Sequence, residues 1–124
     1  MCFYPNRTCT YSCKHNYSPC PLYNGTTIVE QPIDLLTLDE KHATQARLAI
    51  RKSVQEDRRF FLYYSFTHTH DPPYADWRHT GSTLRGDYGD ALAAMDWEIG
   101  QVVEELEEQG IINDTFIFFT ADNG

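Results

Sequence analysis

The sequence predicts an α/β chain built around one βαβ unit with parallel strands. Two observations carry that reading. The runs Phe60–Phe66 and Thr115–Ala121 are continuously apolar and aromatic, as in strands covered on both faces, and a helix-periodic segment lies between them. A strand, a crossover helix and a second strand in one sheet close with a right-handed connection. One such unit cannot cover both faces of both strands, so the sheet is expected to continue in residues outside this chain.

Residues 1–36 read as a cysteine-rich loop, since Cys2 to Gln31 hold three prolines and no apolar periodicity. A core of helix, strand, loop, helix and strand fills 37–124. Thr37 and Glu40 have capping-box spacing, and Ala43, Ala46, Ala49, Ile50 and Val54 then recur at helical intervals, which predicts a helix over about 38–56. Its stripe of small residues suits close packing against a sheet. The charged turn Glu56–Arg59 leads into the first strand. The stretch from Thr67 to Arg85, rich in His, Pro, Asp, Gly and Thr, is longer than most connections, and long structured loops are where sites concentrate. A second helix places Tyr88, Leu92, Met95, Ile99, Val102, Val103 and Leu106 on its apolar face, Glu104, Glu105, Glu107 and Glu108 around the rest, and Gly110 at its end. Asn113-Asp114 lead into the second strand, which closes on Asp122-Asn123-Gly124.

The chain has 124 residues, enough for one domain or part of one, and at 41% hydrophobic and 14% aromatic it can build a core. Its formal charge of −8 argues against nucleic acid and anionic membranes as partners. No apolar run reaches the roughly 20 residues of a membrane span. Cys2, Cys9, Cys13 and Cys20 sit among Pro, Asn and Tyr, a setting that favours disulfides over zinc. Sequons at Asn6, Asn16, Asn24 and Asn113, each in a stretch read as loop, mark candidate glycosylation sites and point with the cysteines to the secretory route. A secretory composition without a signal peptide leads us to expect an internal piece of a longer protein.

Ligands of open α/β sheets bind at the carboxyl ends of the strands, and both predicted strands end in reactive residues. The first runs into Thr67-His68-Thr69-His70-Asp71-Pro72, the second into Asp122-Asn123-Gly124. Asp122 and Asn123 offer hard oxygen ligands suited to Ca²⁺ or Mg²⁺, although two residues do not fill the ~6–8 positions of calcium. The same tripeptide also reads as a plain turn after a strand. His68 and His70 alternate on an extended segment, so one at most faces a common ligand unless the backbone bends. An imidazole there can donate to an anionic oxygen or pass a proton to a leaving group, or it can cap local backbone. Asp71, Asp76 and Asp87 remain unassigned, because Asp in loops and at helix starts usually caps.

Together the blocks Phe60 to Pro72, Gly86-Asp87-Tyr88-Gly89-Asp90-Ala91 and Phe118 to Gly124 resemble the sulfatase family. Cys2-Phe3-Tyr4-Pro5 with Cys9 and Cys13 is similar to its arylsulfatase A-like branch. The resemblance implies a fragment of an alkaline-phosphatase-like sulfatase domain from a lysosomal or secreted hydrolase of sulfate esters. It implies that His70 is the catalytic and substrate-binding histidine at the sulfate, that Asp122 and Asn123 are two ligands of the active-site Ca²⁺ (or Mg²⁺), and that Cys2 and Cys9 form a disulfide. Cys13 would find its family partner before Met1, and pairing of Cys13 with Cys20 is the local alternative. The family's nucleophile is a formylglycine made in a Cys-x-Pro-Ser-Arg motif, and none of the four cysteines lies in one. The isolated chain is therefore expected to be inactive. The expected partner is a small-molecule, glycolipid or glycan sulfate ester, with a homo-oligomeric parent among the expectations. The competing readings are a metal-dependent phosphodiesterase or phosphatase of the same superfamily, and a non-catalytic secreted glycoprotein module. The nucleophile motif upstream separates the first from a sulfatase.

Overall fold

A computed structural model of the chain describes residues 20–70 and 73–123. The expectations for Cys2, Cys9, Cys13, Asn6, Asn16, Asp71 and the first 19 residues of the cysteine-rich loop lie outside these. Residues 20–36 are more regular than a loop. Strands β1 (Leu22–Asn24) and β2 (Thr27–Glu30) pair antiparallel, with Tyr23 opposite Ile28 and Asn24 opposite Thr27 across a turn at Gly25-Thr26. Gly25 takes φ 60°, a left-handed conformation that glycine adopts at little cost, so the hairpin follows from a glycine at the first central turn position rather than from apolar periodicity. Cys20, the candidate local partner of Cys13, is a buried free cysteine.

Helix α1 spans Leu35–Gln55 and helix α2 spans Gly86–Glu108. α1 starts three residues before its predicted position because Asp34 is the cap: its carboxylate accepts from the Leu36 N–H at 3.1 Å and from the Thr37 hydroxyl at 2.8 Å. Glu40, assigned by spacing to a capping box, instead accepts from Arg78 at 3.2 Å. Both helices end in Schellman motifs. After α2, Ile111 N–H reaches the Leu106 carbonyl and Gly110 N–H the Glu107 carbonyl, with Gly110 at φ 69° as its sequence position predicts. After α1, Arg58 and Asp57 repeat the pattern onto Ser53 and Val54, with Asp57 at φ 50° in the position glycine usually fills.

The core lies between the two helices. Leu38, Ala43, Ala46 and Ile50 of α1 meet Ala91, Ala94 and Leu106 of α2, so the small-residue stripe serves a helix–helix contact rather than the helix–sheet contact expected of it. Burying Ile50 and Leu106 stabilises by about 1.5–3 kcal/mol each. The buried face of α2 is also turned from the predicted one, for Tyr88 is 54% exposed whereas Glu98 and Glu105 are fully buried. Alanines at 91 and 94 let the helices approach, and Arg47 and Arg51 of α1 donate to Glu105 at 2.8 and 2.7 Å.

The two expected parallel strands are not formed among the described residues. Residues 60–66 and 115–121 form no ladder hydrogen bonds, and the only sheet among the described residues is the β1–β2 hairpin. Phe61 is 90% and Phe116 89% exposed, so these segments are not covered on both faces as their composition predicts. A strand needs a partner backbone, and neither segment meets one here. Phe66 and Phe119 nevertheless lie edge to face with ring centroids 6.2 Å apart, which sets the two segments side by side at that point. A short 3₁₀ turn, Ile112–Asp114, joins α2 to the second segment and carries the exposed Asn113.

Candidate functional site

The loop 67–85 is held by two carboxylates. Asp90, on the first turns of α2, accepts from the Gly81 N–H at 2.7 Å and the Thr83 N–H at 2.9 Å. Asp76 is buried and accepts from the backbone of Arg78 and His79, from the Arg78 guanidinium at 2.9 Å and from the His79 ring at 2.6 Å. Burial alone would raise the Asp76 pKa, but the bonds from Arg78 and His79 outweigh it and hold the carboxyl below its usual value. The Arg78 guanidinium in turn stacks 4.0 Å over the ring of Trp97. Asp76 thus caps and ties the loop, as expected of an aspartate there, and Asp87 lies in the first turn of α2.

The sequence-predicted site residues lie at the ends of the two extended segments. His70 is exposed, and its backbone N–H meets the Thr67 carbonyl at 3.4 Å. Asp122 and Asn123 are exposed and joined to each other, with the Asn123 side-chain amide donating to Asp122 Oδ1 at 2.8 Å. Phe66 and Phe119, four residues before His70 and three before Asp122, bring the segments together just short of these residues.

His68 faces the other way, into a polar cluster that sequence reasoning missed. Its side chain is 1% exposed, and Nε2 lies 3.0 Å from Asp39 Oδ1 of α1 and 3.6 Å from Glu98 Oε1 of α2, both fully buried. Tyr64 donates to Glu98 Oε2, Tyr74 donates to Asp39 Oδ1 at 3.3 Å, and the hydroxyls of Thr67 and Tyr74 are hydrogen-bonded to each other. The Tyr74 ring lies against the imidazole with centroids 4.6 Å apart. Burial, reinforced by the Asp39 charge and opposed by the Tyr64 hydroxyl, raises the Glu98 pKa to about 7. Burial and then the bond to Glu98 push the Tyr64 phenol well above its ordinary value. Burial also lowers His42, one turn along α1, where His68 adds to the effect. His42, with Gln45, Ala46 and Leu62–Ser65, lines a cleft of about 260 Å³ beside this cluster.

An exposed imidazole and an exposed aspartate–asparagine pair thus lie at the ends of two segments that meet at Phe66 and Phe119, with a tied loop beside them. The comparisons with known proteins give the family. A family model described as Sulfatase matches residues 3–124, and the chain belongs to the sulfatase family. It is 33% identical over 123 residues to arylsulfatase A of Bos taurus, covering 99% of this chain and 24% of that protein. It is 37% identical over 105 residues to steryl-sulfatase of Rattus norvegicus, covering 85% of this chain and 18% of that protein. It is 46% identical over 113 residues to N-acetylgalactosamine-6-sulfatase of Mus musculus, covering 84% of this chain and 22% of that protein. The chain therefore spans about a quarter or less of the length of these relatives.

Proposed function

We propose that the chain is part of a sulfuric ester hydrolase, an arylsulfatase-like enzyme that cleaves sulfate esters with a divalent cation. The observation that carries this reading is the family match, which runs through both the Thr67–Pro72 loop and the Thr120–Gly124 end. In the whole protein the domain is alkaline-phosphatase-like, and its sheet takes in residues 60–66 and 115–121 as strands. The exposed Phe61, Tyr63, Phe116 and Phe118 support that, because such segments call for neighbours on both sides.

His70, exposed on its loop, donates a hydrogen bond to a sulfate oxygen and orients the ester. Asp122 and Asn123 are hard donors that fit Ca²⁺, or Mg²⁺ in its place. Turning the Asn123 amide nitrogen onto Asp122 Oδ1 leaves the carboxamide oxygen and the second carboxylate oxygen as ligands, and the remaining positions are filled from elsewhere. Bound there, the cation supplies electrostatic stabilisation of charge spreading over the sulfuryl oxygens. A formylglycine nucleophile belongs to residues outside this chain, so the 124 residues alone are inactive.

The relatives' names span aryl, steryl and N-acetylgalactosamine 6-sulfates, which supports a small-molecule, glycolipid or glycan ester as substrate. The exposed sequon residues Asn24 and Asn113 support a glycosylated, lysosomal or secreted protein, which we take to be disulfide-bonded at Cys2 and Cys9 and homo-oligomeric. The test is turnover of a chromogenic aryl sulfate. The full-length protein turns it over, chelation abolishes turnover reversibly, and His70→Ala lowers kcat/KM by roughly 10²–10⁴-fold. The isolated chain gives none. Turnover by the isolated chain, or an unimpaired His70→Ala protein, would overturn this reading.

A further inference from the structure

We propose that Asp39, His68 and Glu98 form a second divalent-cation site, of the zinc type, buried between α1 and α2. It uses none of His70, Asp122 or Asn123 and stands apart from the sulfatase reading.

Three kinds of observation converge on it. The first is geometry. One ligand atom from each of the three residues can be chosen so that all lie within 4.8 Å of one another, and the distances from His68 Nε2 are 3.0 Å to Asp39 Oδ1 and 3.6 Å to Glu98 Oε1. Ligands held ~2.1 Å from a tetrahedral zinc lie about 3.4 Å from one another, a value these two distances bracket. The second is unmet bonding. Among the described residues Asp39 Oδ2, His68 Nδ1 and Glu98 Oε1 are buried polar atoms without a hydrogen-bond partner, though such atoms are nearly always satisfied. A cation takes up carboxylate oxygens of this kind directly. The third is charge. Two carboxylates at 0% and 1% side-chain exposure are costly to bury ionised, and one divalent ion with a neutral imidazole balances them.

Two tyrosine hydroxyls orient the carboxylates. Tyr64 donates to Glu98 Oε2 and Tyr74 to Asp39 Oδ1, which fixes both carboxylates, with Glu98 Oε1 left unpaired for the ion. A mixed imidazole–carboxylate set suits zinc and its first-row neighbours better than calcium, which prefers oxygen alone. Three protein ligands leave one position for water.

The test uses the full-length protein, stripped with chelator and titrated with Zn²⁺ against a chromophoric competitor. One equivalent is expected to bind in the wild type and in Asp122→Ala, which keeps this site separate from the calcium position of the preceding section. Glu98→Gln, nearly isosteric and still able to accept from Tyr64, is expected to bind at least ~100-fold more weakly. Cobalt provides a readout on the wild type alone should that variant not fold. A tetrahedral visible spectrum that Zn²⁺ displaces supports the site. Absence of a bound equivalent, a Co²⁺ spectrum like that of the hydrated ion, or unchanged affinity in folded Glu98→Gln protein overturns it.

Discussion

Tyr64 donates its hydroxyl to Glu98 Oε2 and so ties the first extended segment to the buried face of α2. The other carboxyl oxygen, Oε1, has no hydrogen-bond partner among the described residues. Tyr64→Phe removes the one hydrogen-bond donor to this carboxyl among the described residues and leaves Oε2 unpaired in a buried site. The expected cost is about 1–3 kcal/mol, the price of an orphaned buried acceptor, read as a lower urea midpoint at constant m. In a Glu98→Leu background the same change should cost much less, since no acceptor remains. Equal losses in both backgrounds would show that the ring, and not the hydroxyl, is what matters.

The same burial gives a pH dependence. In chelator-treated protein Glu98 titrates near 7 when folded, against 4.5 ordinarily, facing Tyr64, Asp39, His68 and the more distant Asp76. Its folded form therefore holds a proton that the unfolded chain has released between these values. Stability is present below about pH 4.5 and falls as pH rises to about 7, by roughly 1–3 kcal/mol in all. Asp76 and Glu105, whose pKa values are lowered, act oppositely and lose their contributions only as pH falls below the ordinary carboxylate range. The wild type minus Glu98→Gln difference isolates the Glu98 limb. A flat difference between pH 4.5 and 7 would contradict the assignment.

Glu105 is the ionic clamp between the helices, accepting from Arg47, Arg51 and Gln109 at 2.7–2.9 Å. Burial disfavours its charge, but the two guanidinium bonds outweigh burial and keep it ionised. Glu105→Gln leaves two arginines facing a neutral amide. Because Arg47 and Arg51 are 25% and 40% exposed, they turn partly to water, and the expected loss is about 1–3 kcal/mol rather than the ~3–5 of a fully buried pair. Calorimetry checks this, and Glu108→Gln, on the exposed rim of the same network, should move the melting temperature far less.

Much of the helical half was legible because periodicity and caps are local. Gly110 ends α2 where its position predicts. The strands were not, since an apolar run records that a segment suits a sheet interior but not which backbone pairs with it. The buried cluster escaped because Asp39, His68 and Glu98 lie about 30 positions apart and each reads singly as a surface residue or loop histidine. A signal was present: Asp39 shares the spacing of Ala43, Ala46 and Ile50 on α1, and Glu98 that of Ala91 and Ala94 on α2. A carboxylate on the small-residue stripe of each helix is a buried polar pair waiting for a partner, and the stripe was read for its alanines alone. His70, Asp122 and Asn123 stood out through their motifs, and they lie exposed where the two segments end.

Gly89 offers a steric test of how α2 meets the loop before it. A Cβ there would lie 2.4 Å from Thr83 Oγ1 and 2.6 Å from Arg85 Cβ, closer than side chains pack. Gly89→Ala would gain about 1 kcal/mol from helix propensity alone. The clash with Arg85 Cβ cannot be relieved by rotating a side chain, so loop 81–85 must shift and strain its bonds to Asp90. The net expectation is a loss of about 1–3 kcal/mol. Gly110→Ala is the control, because its Cβ meets nothing within 4 Å and its cost arises only from φ +69. Hydrogen exchange separates the two: Gly89→Ala should speed exchange of the Gly81 and Thr83 amides, and Gly110→Ala should not. Unchanged protection at both amides in Gly89→Ala would mean that the loop accommodates the methyl group without giving up Asp90.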